Sequence, residues 1–268
     1  MKIVRIAALS ILVAVALLAA GAGRLAPYSY AAQFREHAGE PPSHRYLLGT
    51  DELGRDRFSR LLEGSRISLV CATAAALVAT AIAAAVGIAA GYFGGWVDGA
   101  AGAVTDLFLS LPWLFALLSL RALLPLDISP AVSIGATFLL LAGVGWASGA
   151  RVVRAGAAGL RHSAPIIHAR AYGCGSGRLL WRHLLPNLRP VLAAQFWILL
   201  PVFLLTEANL GVLGLGITEP LPSWGNMLAE LQNYEKIPDE PWILAPAVLL
   251  VVVVGSLHFA VSTRKKWE

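Results

Sequence analysis

Residues 151–189 read RVVRAGAAGLRHSAPIIHARAYGCGSGRLLWRHLLPNLR. The stretch holds seven arginines (Arg151, Arg154, Arg161, Arg170, Arg178, Arg182, Arg189) and neither Asp nor Glu. Uncharged runs flank it, from Ile128 to Ala150 and from Pro190 to Thr206. A basic, acid-free segment between two membrane spans stays on the cytoplasmic side, because Lys and Arg near span ends resist translocation. At about forty residues it exceeds a simple turn between helices. It therefore reads as a cytoplasmic docking segment.

The composition agrees with a membrane setting. Of 268 residues, 57% are hydrophobic and 14% are charged, against about 25% charged in a soluble domain; mean hydropathy is +0.68. The net charge of +5 sits in loops beside apolar runs. That placement follows the positive-inside rule, and no basic stripe with interleaved aromatics points to nucleic acid. The lipid bilayer is the expected surrounding. Cys71 lies in an apolar run and Cys174 in the basic loop, a spacing that fits neither a metal site nor a disulfide framework.

Outward from the arginine stretch, the chain divides into an all-α membrane protein of six spans. Residues 6–23 are uncharged and follow Lys2 and Arg5. They read as a signal peptide or as a first transmembrane helix; the helix, taken as 1–23, makes the span count even. Residues 24–66 form an external loop with seven basic and six acidic residues. Within it, 51–63 is expected to be a helix on the membrane surface, capped by Asp51. Ile67 to Val97 carries no charge and is rich in Ala and Gly, which lets helices approach closely in lipid. The third span runs from about Ala100 to Leu124, and Pro112 should kink it. Asp106 should face the bundle interior or a water-filled path, sit near a boundary, or make a structural hydrogen bond at a helix end.

The fourth span covers 128–150 and the fifth starts at Pro190. Glu207, at the edge of that apolar run, is either a helix-end anchor or a residue lining the pathway. The segment from Glu207 to Glu240 has six acids and one lysine, the opposite bias to the arginine loop, and so belongs to the other face. The sixth span runs from Pro241 to about Val261. Arg264, Lys265 and Lys266 in the tail 262–268 then hold the C-terminus inside. Residues 67–261 thus make a core of five spans that includes the docking loop 151–189, and both termini are expected in the cytoplasm.

No catalytic set stands out, so the chain does not read as an enzyme. There is no HExxH, and Gly175 occupies the serine position of a nucleophile elbow in Gly173–Gly177. His162, His168 and His183 are not spaced for a shared metal, so no metal is expected. No lysine follows a glycine, which excludes a standard phosphate-binding loop. The middles of spans two, four and six lack the ionisable residues that ion-coupled carriers place there. An external motor is the better reading. An ion-driven carrier or channel, or a membrane scaffold without transport, is the alternative.

Several motifs carry a resemblance. Ala169-Arg170-Ala171-Tyr172-Gly173, followed by Arg182-His183-Leu184-Leu185-Pro186-Asn187, is similar to the EAA loop of ABC-importer permeases, in which a short helix docks into a cleft on an ATPase. Leu48–Asp56 (LGTDELGRD), Gly91–Asp98 (GYFGGWVD), the spacing of Asp106 and Pro112, Thr206-Glu207-Ala208, Leu213–Gly216 and Pro222–Leu228 (PSWGNML) resemble the C-type permease of dipeptide, oligopeptide and nickel uptake systems. The resemblance spans about residues 45–230. It departs at the docking helix: the family's Glu falls on Ile167 and its next Ala on His168. Ile167 cannot accept a charge-assisted hydrogen bond from an ATPase arginine.

The resemblance implies a type I ABC-importer permease architecture. It implies a second homologous permease, two cytoplasmic ATPases that carry ATP and magnesium, and an extracytoplasmic solute-binding protein in a bacterial inner membrane. No cofactor is then expected on this chain. The docking residues would be Ile167, His168, Ala169, Arg170, Ala171, Gly173, Arg182, Leu185 and Pro186. Asp106, Pro112 and Glu207 would belong to the translocation pathway. Two short helices over about 163–185, joined at Gly173, would move as a lever when ATP closes the ATPases, with Arg170 touching the ATPase and Pro186 breaking the helix before span five.

Overall fold

The computed structural model describes residues 2–125 and 128–261. The basic tail of Arg264, Lys265 and Lys266 lies outside the described residues. Twelve α-helices are described: α1 (Lys2–Ala20), α2 (Ala22–Leu25), α3 (Arg57–Phe93), α4 (Gly95–Ser110), α5 (Trp113–Ala122), α6 (Pro130–Gly145), α7 (Ala147–Arg161), α8 (Ala164–Ala171), α9 (Ser176–Leu179), α10 (Leu185–Val212), α11 (Trp224–Ala229) and α12 (Ala245–Val261). The one β contact among the described residues is an isolated bridge between Thr50 and Asp56. The all-α expectation holds.

Four helical stretches are long and apolar enough to cross a membrane: Ile3–Ala20, Arg57–Phe93, Ser176–Val212 and Pro241–Ala260. Two bent pairs complete the count of six if each is one span. α4 and α5 meet at 82°, and α6 and α7 at 41°. The first bend falls at Leu111-Pro112, where proline cannot donate and restricts the residue before it. Leu111 is accordingly extended (φ −78°, ψ 133°). The expected kink is therefore a full break.

Two sequence expectations change. No separate surface helix forms over 51–63. Asp51 instead organises a turn, and α3 starts at Arg57 and runs on unbroken for 37 residues. Asp56, not Asp51, caps it, accepting from the Ser59 amide at 2.8 Å. Nor does Pro186 end a helix. The chain passes from α9 through a π-helical turn, Leu180–Leu184, directly into α10. Leu185 donates its N–H to the carbonyl of Leu180, five residues back. A wider turn suits the position before proline, whose ring would crowd the carbonyl of an ordinary α turn.

The chain forms two compact units, and α3, α5, α6 and α10 give part of their length to each. The first takes the residues up to Thr73, Arg121–Phe138 and those from Pro201 on. Its core includes Leu204, Leu210, Trp224 and Leu257, with α1 lying along α12. The second takes Ala74–Leu120 and Leu139–Leu200. Its core gathers Ile88, Tyr92, Val153, Ala157, Ile166, Leu179, Leu184 and Leu188.

Candidate functional site

In the second unit, the arginine-rich stretch folds from α7 to the start of α10. Ser163 leaves α7 in extended backbone (φ −72°, ψ 146°), and Pro165 suits the first turn of α8. The Ser163 carbonyl accepts from the Ile166 and Ile167 amides at 3.1 Å each. α8 ends at Ala171, and the chain turns at Gly173, whose φ of +76° favours glycine. There the Cys174 amide returns to the Ala169 carbonyl at 3.0 Å.

α8 has one buried anchor, Ile166, which sits in the core with Leu179 and Leu184. Burial of such a side chain contributes about 2 kcal/mol. The rest of the short helix points away. Ile167 is 54% exposed and Tyr172 is 90% exposed; His168, Arg170, Ala171 and Gly173 are exposed, and Ala169 is half-buried. Ile167, at the position where a carboxylate was expected, thus presents apolar surface. The Arg170 guanidinium lies 5.5 Å over the Tyr92 ring, within cation–π range. It braces α8 on α3, an engagement that sequence spacing does not disclose. Arg182 is exposed, while Leu185 and Pro186 are half-buried in the helix that follows.

Behind α8 the helices meet at backbone distance. A Cβ on Gly87 would lie 2.6 Å from the Ala150 carbonyl oxygen, and one on Gly91 would lie 2.7 Å from Ala157 Cβ. α3 and α7 therefore pack with no room for a side chain. α7 is also tied to α4: Arg151 Nη2 donates to Asp106 Oδ1 at 2.5 Å, and Arg154 Nη2 to Asp98 Oδ2 at 2.7 Å. Asp106 is thus an exposed ion-pair partner. Pro112 is exposed at the 82° break.

In the first unit, Glu207 is fully buried in α10. Its Oε2 accepts from Ser68 Oγ at 3.2 Å and its Oε1 from the Gly225 amide at 3.3 Å. The Trp224 amide donates to Ser68 Oγ at 3.1 Å, and its indole Nε1 to Ser65 Oγ at 2.9 Å. Glu207 is thus an internal tie that fastens α11 onto α3 and α10. Its carboxylate is turned into the protein. A buried carboxylate is tolerated only with such partners. The PSWGNML motif folds tightly around this tie. Ser223 caps α11 by accepting from the Asn226 amide at 3.1 Å, and Asn226 Nδ2 donates to the Ile217 carbonyl at 2.7 Å.

The LGTDELGRD motif folds beside it. The Asp51 carboxylate accepts from the amides of Leu53 at 3.0 Å and Arg55 at 2.8 Å, and from Arg55 Nε at 2.6 Å. Arg55 and Arg60 both reach Glu219, at 2.7 and 2.9 Å, and Arg57 pairs with Glu230. Burial alone would lower the Arg55 guanidinium. Its bond to Asp51 and the charge of Glu219 outweigh that and hold it above the ordinary arginine value. These pairs frame a cavity of about 480 Å³ lined by Glu52, Asn226, Gln232 and Lys236 among others.

One buried feature went unnoticed in the sequence, the pair of serines under Trp224. Arg121 stands out in the sequence as a charge inside the third span, but its burial and partners do not: it is 1% exposed and donates to Ser133 Oγ and the Gly216 carbonyl at 3.0 Å each.

Comparison with known proteins gives a consistent set. The family described as "Binding-protein-dependent transport system inner membrane component" matches residues 64–263. A putative peptide permease protein of Brucella suis biovar 1 (strain 1330) is 35% identical over 219 residues, covering 81% of this chain and 70% of the relative. The oligopeptide transport system permease protein OppC of Escherichia coli (strain K12) is 37% identical over 215 residues, 80% of this chain and 68% of its own length. The dipeptide transport system permease protein DppC of Alkalihalophilus pseudofirmus is 31% identical over 250 residues, 93% of this chain and 80% of its own length.

Proposed function

This chain belongs to the family of binding-protein-dependent transport system inner membrane components, and from that premise we propose that it is half of the pathway of an ATP-driven importer of peptides or similar small solutes. It is a transporter subunit and not an enzyme. Peptide cargo is supported by the names of its relatives. The assembly in this reading holds a second homologous permease, two cytoplasmic ATPases that bind ATP and magnesium, and an extracytoplasmic solute-binding protein. It sits in a bacterial inner membrane with both termini and residues 151–189 in the cytoplasm.

The observation that carries the coupling role is the shape of α8. One anchored residue, Ile166, faces the core, and the flanking surface of Ile167, His168, Ala171 and Tyr172 is presented outward. In this reading Ile167 and Tyr172 fill an apolar part of the ATPase cleft, and shape replaces the missing carboxylate. The close α3–α7 seam supports transmission of force, because helices packed at backbone distance move together. Arg182, Leu185 and Pro186 carry the motion into α10. Asp106 and Pro112 remain candidates for the pathway side of the second unit.

The test is co-purification with the ATPases and solute-stimulated ATP hydrolysis. Gly173→Trp places a large side chain in left-handed backbone at the tip, and Ile167→Arg places a charge on the apolar contact. Each should weaken association by about tenfold or more, as loss of an interface anchor does, while the chain still reaches the membrane. Unchanged association and transport in both variants would remove the coupling role from α8.

A further inference from the structure

The second unit holds a largely apolar groove beside the coupling residues, sharing only Leu185 with them. Leu77, Ala85 and Ala89 of α3 form one wall, and Trp181, Leu185 and Leu192 the other; the space is about 490 Å³. From Leu77 to Ala89 an α-helix rises roughly 18 Å. That is about the depth of one leaflet, half of a hydrocarbon core of about 30 Å. A helix crossing from a partner would need a groove of about twice this length.

The shallow end of the groove is marked by interfacial residues. Tyr92 Oη lies 3.4 Å from Ser176 Oγ, so the start of α9 sits beside the end of α3. Trp96, Tyr172 and Trp181 are exposed there, Trp181 at 75%, as aromatics are at a membrane–water boundary. The π-helical turn at Leu180–Leu184 widens the helix where Trp181 leaves it. Arg178 is exposed and stands three residues before Trp181. No Asp or Glu occurs anywhere in 151–189. The groove is therefore apolar along its length except for Thr80, with basic residues and no acid on the segment at its mouth.

We infer that this groove holds one acyl chain of an anionic glycerophospholipid of the cytoplasmic leaflet, with the lipid phosphate against Arg178. The inference rests on the reading that residues 151–189 face the cytoplasm, where anionic lipids draw basic segments. The bound lipid would wedge between α3 and the start of α10 next to the coupling helix.

The experiment uses the full chain purified in detergent, with phosphatidylglycerol or phosphatidylcholine added and the retained lipid counted by native mass spectrometry. The parent should retain one phosphatidylglycerol and hold phosphatidylcholine about fivefold less well. Ala85→Trp, which fills the groove from an exposed position, should abolish retention of both. Arg178→Ala should lower phosphatidylglycerol retention about fivefold, the effect of one basic residue at an anionic surface, and leave phosphatidylcholine unchanged. Equal retention of the two lipids by the parent would overturn the inference, as would retention indifferent to both substitutions. Capture of the second permease by a photo-crosslinker at Ala85 in the assembled transporter would also overturn it, by showing a helix in the groove. The lipid-retention readouts require no ATPase, so failure there is distinguishable from failure of the coupling role.

Discussion

Glu207 shows how a residue's role is set by what would be stranded without it. Its carboxylate is the acceptor for Ser68 and for the Gly225 amide in a fully buried setting. Glu207→Leu would leave both donors unsatisfied, at about 1–3 kcal/mol each. The purified variant should unfold several degrees lower in a thermal scan, whereas Glu207→Gln, which keeps an acceptor, should retain most of the stability. A leucine variant as stable as the parent would mean the tie carries no load. The sequence left this residue between anchor and pathway lining. Its partner Ser68 is 139 residues away, and no local pattern reports a pairing of that span. Ile167 is the opposite case. Its departure from the family's carboxylate is visible in the sequence, and the structure adds that the replacement side chain is exposed.

Elements were legible where one property acts along the chain. The uncharged run of Ile67–Val97 marks a span because most of its residues are apolar and none is charged, and α3 covers nearly all of that run. Helix ends were less legible. Of the helix expected over 51–63, only the part from Arg57 forms, as the first turns of α3, and 51–56 is a turn; the side-chain pattern is the same for a separate helix and for a continuous one. Pro186 was expected to stop a helix by the usual steric rule. The π-helical turn before it absorbs the conflict instead. The seam between α3 and α7 was readable only as a wealth of small residues; the structure shows which of them meet. Gly91→Leu should force that seam apart, at a cost of at least about 1–3 kcal/mol for overpacking. The expected result is lower thermal stability and loss of coupled ATP hydrolysis. By contrast Gly99→Leu, with nothing within 4 Å of its Cβ, should leave both unchanged. Equal behaviour of the two variants would show that the close approach is dispensable.

At the scale of the whole molecule, the span count was reached by two routes. Hydropathy alone divides the chain into six, and the structure provides four long helices and two bent pairs. Membership of a binding-protein-dependent family favours an external motor over an ion-driven carrier. Vesicles containing only this chain should therefore take up no peptide, with or without a proton gradient. Uptake should appear when the second permease, the ATPases, ATP and the binding protein are supplied. Gradient-driven uptake by this chain alone would contradict the transporter reading. What the amino-acid order determined by itself was the number of spans and the side on which the arginine loop is expected, because hydrophobicity and charge act residue by residue against the bilayer. The tertiary structure alone decided which polar groups are paired and with whom: Glu207 with Ser68 and Arg121 with Ser133 in buried settings, Asp106 with Arg151 in an exposed one. A hydrogen bond needs two groups within about 3 Å, and residues far apart in the chain reach that distance only when the helices have packed.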